Sequence, residues 1–491
     1  MMKQNLKNLI RIMVAFITVT MMIMGCTTID KKYMPITSSS RKAKVLVFEV
    51  QAVLADGYLA KAVDMLKQAL ELDSTCAMAN IWYGFNAGLG NITRREYFAK
   101  AEKNLSNVTE AEQHLIKSYL AYEKGSGEEI INELKAVVEL YPEDKYMLRL
   151  LAVRYYGLGQ YENALEYARK SFEADTTYAT ALNYQGYVLF TMGKNDEAEK
   201  MYKKSIEMNP GVPLYYNNYG QLLRGAGRID EAVEMHKKAI AIGSDYSGNL
   251  FLGHCYAARG DYALARENYS KAFDMSTSNV QKNTVSWSMA CTYLYESNLA
   301  EACAVLDKHA DFNRQPGNMD IEVINSIVNK AFCHILYNDM VNAEKYINEA
   351  IGLVPTLNLT ETERKNYEKY AIFWKGWLQA LSGKAGEANK SLEEFKNSMK
   401  DEEELNAMKY WRNNLQGIVA FSKKNWTEAA SFLSLANSAV PYYYAGLAYQ
   451  NAGDKEKAKE VFTKIVNNNL IGIQQALVKP FAISRLAELS K

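Results

Sequence analysis

The sequence predicts an all-α protein, an α-solenoid of about ten helix-turn-helix repeats stacked into a curved superhelix. Three observations carry that reading. A pattern of 34 residues, clearest in ATALNYQGYVLFTMGKNDEAEKMYKKSIEMNPGV at 179–212, returns directly behind that stretch and in front of it. Within it, apolar residues recur three and four apart on both sides of Gly193, Lys194 and Asn195, the spacing of two amphipathic helices joined by a tight turn. The composition is rich in Ala, Leu, Tyr, Glu and Lys, with eight prolines in 491 residues and few alternating, strand-like runs.

Counting Ala179 as position 1, small residues stand at positions 8 (Gly186), 20 (Ala198) and 27 (Ser205), and bulky ones at 11 (Leu189) and 24 (Tyr202). Small side chains suit the points where two helices cross, because a larger Cβ substituent would hold the backbones apart. Pro210 at position 32 ends the second helix, since it lacks an N–H and its ring clashes with the preceding turn. A copy from Lys145 reads Ala152, Tyr155, Gly159, Ala164, Ala168 and Ser171. Copies from Pro213 and Tyr246 read Gly220, Leu223, Gly227, Ala232, His236, Ala239 and Gly253, Tyr256, Gly260, Ala265, Tyr269, Ala272. This pattern resembles the tetratricopeptide repeat, a helix-turn-helix of 34 residues with these small positions and a late proline.

In order, the chain opens with a first repeat over 43–74, turned at Asp56 and Gly57, with Ala62, Leu66 and Ala69 in register. Residues 75–109 are looser, and Gly88 to Asn91 predicts helices of irregular length. The period recovers over 110–141 through Ser118, Ala121, Ile130, Leu134 and Val137, and the four strong copies follow to Asn279. A weaker copy holds Ala290, Tyr293, Ala302 and Leu306. The turn formers from Asp311 to Asn318 then predict a bend or subdomain boundary at 311–323, between arrays at 43–310 and 324–491. Later copies carry Ala331, Ala343 and Ala350, then Gly376 and Ala388, then Gly417 and Ala429, then Gly446, Ala458 and Phe462. Pro142, Pro355 and Pro441, like Pro210, are read at position 32. A last helix over 474–489 is expected to cap the stack.

The first 25 residues read as a signal peptide. Lys3, Lys7 and Arg11 precede an apolar run from Ile12 to Met24 that is short for a membrane span. The following Ile23-Met24-Gly25-Cys26 resembles a bacterial lipobox, which implies a lipid-modified Cys26 and an envelope lipoprotein. An ordinary signal peptide and an uncleaved anchor are the other readings. Residues 26–42 are polar and read as a tether. Thr27 after the cysteine implies the outer membrane, facing the periplasm, with surface display the alternative. Without its three basic signal residues the whole-chain charge of +1 becomes −2, which argues against nucleic acid as a partner.

No phosphate loop, nucleophile elbow or H-E-x-x-H pair occurs, so neither a catalytic residue nor a cofactor is expected. The five histidines are scattered, and His236 falls at a packing position. Beyond Cys26, five cysteines show no C-x-x-C spacing and read as packed thiols. The family resemblance implies a groove lined by first helices, mainly through positions 2, 5, 9 and 12. Carried across, these give Tyr146, Arg149 and Tyr156; Asn183, Tyr187 and Phe190; and Asn217, Gln221 and Arg224. Amides, aromatics and arginines suit an extended peptide, so a protein or peptide partner is expected. Trp287, Phe332, Phe373, Trp377, Trp411 and Phe421 mark a more apolar second half, read as buried contacts between repeats ahead of a second site. Glycan binding by the aromatics and an enzyme hidden in the helical scaffold are the rival classes.

Overall fold

The computed structural model describes residues 32–89, 91–315, 320–357, 359, 361–399, 408–435, 438–468 and 472–490; the signal segment and Cys26 lie outside them. Among the described residues every regular element is helical. The first ten α-helices are α1 (Arg41–Ala55), α2 (Leu59–Leu72), α3 (Ala77–Asn86), α4 (Asn91–Lys103), α5 (Glu110–Lys124), α6 (Gly127–Leu140), α7 (Lys145–Gly157), α8 (Tyr161–Ala174), α9 (Ala179–Thr191) and α10 (Asn195–Met208). There follow α11 (Pro213–Gly225), α12 (Ile229–Ile242), α13 (Tyr246–Arg259), α14 (Tyr262–Met275), α15 (Asn279–Tyr295), α16 (Leu299–Asn313), α17 (Asp320–Leu336) and α18 (Met340–Leu353). The rest are α19 (Glu361–Leu381), α20 (Ala385–Asn397), α21 (Lys409–Ser422), α22 (Trp426–Leu433), α23 (Ala439–Asn451), α24 (Lys455–Asn467) and α25 (Ile473–Leu489). They pack as two units, one within Met1–Ala55, Lys61–Tyr83 and Tyr97–Lys204, the other Asp56–Ala60, Gly84–Glu96 and Ser205–Lys491.

Within each unit consecutive helices pair, and the repeat rules state how. Gly186 on α9 lies so close to α10 that a Cβ there would stand 2.9 Å from the Tyr202 ring and 3.2 Å from the Ala198 carbonyl oxygen. Position 8 is therefore small because position 24 is a ring and position 20 brings a backbone against it. Gly159 and Gly193 turn the pairs with φ of 73° and 76°, a left-handed conformation that costs glycine little. Later pairs put Ser297, Asn338 and Lys424 at the corresponding turns, with φ of 58°, 59° and 62°.

Four expectations are corrected. The 311–323 segment is no subdomain boundary: one buried cluster takes in Ala310 and Val323 and runs on to Ala482, and α16 packs on α17. Asp311 and Asn313, read as turn formers, lie instead in the last turn of α16. Pro441 does not end a helix. It sits in the first turn of α23, where a missing N–H leaves no helical hydrogen bond unmade. The last helix is not simply laid on the end of the stack: α25 packs on α24 and also on α15, α17 and α23, each the first helix of its pair. Its Leu477, Val478 and Ala482 are buried, and Phe481 meets Tyr337 edge-on at 5.3 Å between ring centres.

The fourth correction concerns the polar tether. Met34 and Ile36 are fully buried in the first unit, and residues 33–40 form a strap across the N-terminal ends of three helices. The Met34 N–H donates to Asp144 Oδ2 (2.9 Å), the Thr37 N–H to Glu112 Oε1 (2.6 Å) and the Ser39 N–H to Asp73 Oδ2 (2.8 Å). Composition alone hid this, because two apolar side chains among serines and lysines suffice when the receiving carboxylates satisfy the backbone.

Candidate functional site

The nine residues expected to line a groove divide into two groups, each within one unit. In the first unit, α7 and α9 bring Tyr156 and Tyr187 together, with ring centres 5.0 Å apart and the Tyr156 hydroxyl 3.0 Å from Thr191 Oγ1. Tyr161 joins at 5.4 Å from Tyr156. A residue outside the expected set, Tyr184, completes the wall, stacked on Tyr187 at 6.1 Å and 6.4 Å from Tyr156. Position 6 lies one residue from the expected position 5, and in a chain with 34 tyrosines nothing in the sequence marked this one.

Arg149 stands beside that wall. Its Nε is buried without a hydrogen-bond partner, as is the Tyr184 hydroxyl, among the described residues. Burial pushes the Tyr184 phenol well above its ordinary value, and the nearby guanidinium pulls the other way. Two neighbouring residues, one cationic, thus each keep a buried polar atom without a partner among the described residues. An unmade bond of this kind costs about 1–3 kcal/mol.

Tyr146 goes elsewhere. Its ring lies 6.0 Å from Tyr33 of the strap, 6.5 Å from Phe48 and 5.5 Å from Tyr178, in a packed aromatic group. Phe190 is half-buried, while Asn183 is 2 % exposed and offers little to a ligand.

In the second unit the expectation fails for two of three residues. Asn217 is 1 % exposed; its Nδ2 donates to Ser244 Oγ (3.1 Å) and Ser247 Oγ (3.0 Å), and its Oδ1 lies 3.1 Å from His236 Nδ1. It ties α11, α12 and the start of α13 together. Arg224 is also buried, and desolvation lowers its pKa, while Gln221 stays half-buried. Burial, with Arg224 close by, lowers His236 to about 3 and His254 well below its ordinary value, so both are neutral packing groups. The later aromatics are core: Phe373 and Trp377 are buried, and Phe332, Trp411 and Phe421 pack against them or their cluster.

Cys76, Cys255, Cys291, Cys303 and Cys333 are free thiols, and burial pushes Cys255 and Cys291 up to about 12. Among the described residues no group of three His, Cys, Asp or Glu side chains could hold a metal.

Family models described as tetratricopeptide repeat match residues 177–245, 246–279 and 442–469. No curated protein matches the chain. Among solved structures, a tetratricopeptide repeat protein from Parabacteroides merdae is 17 % identical with a TM-score of 0.37, over 53 % of this chain and 98 % of that one. PilW, a type IV pilus biogenesis factor, is 18 % identical with a TM-score of 0.35, over 44 % and 95 %. YrrB, a repeat protein with an unusual peptide-binding site, is 21 % identical with a TM-score of 0.27, over 37 % and 93 %.

Proposed function

We propose that this tetratricopeptide-repeat protein is a non-catalytic scaffold that holds an extended, acidic protein segment on the α7–α9 face of its first unit. Repeats of this family are protein-interaction scaffolds, typically without catalysis. The observation that supports the particular face is the Arg149 guanidinium acting on Tyr184, each with a buried polar atom unpartnered among the described residues, where Tyr184 stacks on the Tyr156, Tyr161 and Tyr187 group. An arginine fork donates to both oxygens of a carboxylate in one plane, and tyrosine rings cover side chains at little cost in rotamer freedom. The proposal includes a lipid on Cys26 that keeps the scaffold at the bacterial envelope, supported by the lipobox-like Ile23 to Cys26.

The test is site-specific photo-crosslinking from position 187 in intact cells, comparing the otherwise unchanged chain with Arg149→Ala and with Gln221→Ala. A crosslinked partner retained with Gln221→Ala and lost with Arg149→Ala supports the face; equal yields in all three overturn it. Cys26→Ser tests the anchor separately: the protein leaves the membrane fraction, and retention there refutes the lipid.

A further inference from the structure

The strap is held by three acidic side chains, each of which also accepts a hydrogen bond from its own stretch of chain. Asp73 Oδ1 accepts from the N–H and hydroxyl of Thr75, while Oδ2 accepts from Ser38 Oγ (2.6 Å) and the Ser39 N–H. Asp144 Oδ1 caps α7 through the N–H groups of Tyr146 and Met147, while Oδ2 receives the Met34 N–H. Glu112 closes a capping box with Thr109 through Oε2 and gives Oε1 to the Thr37 N–H, with Thr37 Oγ1 also on Oε2 at 2.6 Å. Asp73 and Asp144 each give one oxygen to their own turn or helix and the other to the strap, while Glu112 shares Oε2 between its capping box and Thr37 and keeps Oε1 for the strap.

That division means the receiving edge is built without the strap. The caps at Glu112 and Asp144 and the Asp73–Thr75 turn orient the three carboxylates without help from residues 33–39, so vacating the edge leaves preformed acceptors beside the sites of Met34 and Ile36. Three of the contacts read backbone N–H groups, which any extended segment presents, while side-chain identity is asked for at the two apolar positions and at the hydroxyls of Thr37 and Ser38. Lys32 adds a basic contact at one end, donating to the Ala174 carbonyl oxygen at 2.6 Å.

We propose that Asp73, Glu112 and Asp144 form a peptide-docking ledge that the chain fills with its own residues 33–39, and that a partner's extended segment can take the strap's place. Such a segment carries two apolar side chains at alternate positions, a hydroxyl residue after them and a basic residue before them. The ledge is separate from the Arg149 face and stands or falls independently of it. On the reading in which Cys26 is lipidated, exchange also sets stand-off from the membrane. The seven vacated residues, 33–39, add at most about 25 Å.

The test uses the full chain with Met34→Asp and Ile36→Asp, which cannot keep the strap buried, and a fluorescein-labelled peptide of residues 32–40 as the probe. The strap variant binds the probe saturably at one to one, and the chain with its native strap binds it at least tenfold more weakly. Adding Asp73→Asn and Asp144→Asn lowers the affinity at least tenfold while leaving the helical circular dichroism unchanged, because asparagine still caps through its oxygen. Failure of a folded strap variant to bind, or equal binding by both strap forms, overturns the proposal. Should the variant not fold, native-state hydrogen exchange of the natural chain decides. The amides of Met34, Thr37 and Ser39 exchange by local opening at least a hundredfold faster than buried amides of α7; exchange only together with α7 makes the strap a fixed part of the fold.

Discussion

Replacing Gly253 by alanine isolates the packing rule on which the stack depends. A Cβ on Gly253 would stand 2.5 Å from Tyr269 Cε1, 2.7 Å from Cδ1 and 3.2 Å from the Ala265 carbonyl oxygen. Carbon atoms in contact prefer about 3.5–4.0 Å, so the ring must withdraw by about 1 Å. Tyr269 is fully buried with Leu250, Ala272 and Val285 around it, which leaves the ring no free direction, and the carbonyl belongs to the α14 backbone. Overpacking of this kind costs about 1–3 kcal/mol, against about 0.8–1.0 kcal/mol recovered from alanine's better helix propensity. The net is a loss of up to about 2 kcal/mol. Gly352, near the end of α18, has nothing within 4 Å of the same added atom, so Gly352→Ala keeps the gain without the clash. Both positions lie in the second unit, with five of the six tryptophans, so urea unfolding followed by tryptophan fluorescence reads the two variants alike. A lower midpoint for Gly253→Ala and an equal or higher one for Gly352→Ala is the expected result. Two variants of equal stability would show that close approach of the paired helices is not what keeps position 8 small.

Lys424→Gly removes a left-handed non-glycine residue from the turn between α21 and α22, and the urea midpoint should rise by up to about 1 kcal/mol; an unchanged or lower midpoint refutes the strain. Tyr269→Phe deletes a buried hydroxyl that has no hydrogen-bond partner among the described residues, and is expected to stabilise the second unit by about 1 kcal/mol in the same assay; a loss would reveal a bond to that oxygen. Burial holds His309 at about 4, below the unfolded value near 6.5, so the unfolded chain binds the extra proton between those pH values. Its neutral form is therefore fully compatible with the fold above pH 6.5, and stability falls on acidification towards pH 4 by about 1.4 kcal/mol per unit. Urea midpoints at pH 6.5 and 4.5 should drop further for the natural chain than for His309→Gln, and parallel drops would remove His309 as a cause.

Local rules were legible because they are written in neighbouring residues. The glycine turns, the small residues at helix crossings and the paired helices follow from the period, and the copies around Gly186 and Gly253 carry it plainly. Groove residues were legible only in part. Tyr156 and Tyr187 lie 5.0 Å apart, and the repeat position that leaves Arg149 half-buried on α7 buries Asn217 on α11, where Ser244, Ser247 and His236 surround it. Position in a repeat fixes the direction of a side chain, while its neighbours fix whether anything covers it.

By itself the sequence determined the helix pairs, their turns and the residues that let them approach, because these obey an arithmetic of three, four and 34 within one stretch of chain. Only tertiary structure decided which faces remain open. The strap against Asp73, Glu112 and Asp144, and α25 against α15 and α17, join segments far apart in the chain. Such contacts depend on which buried acceptors and apolar surfaces the assembled helices leave over, a quantity that no local spacing records.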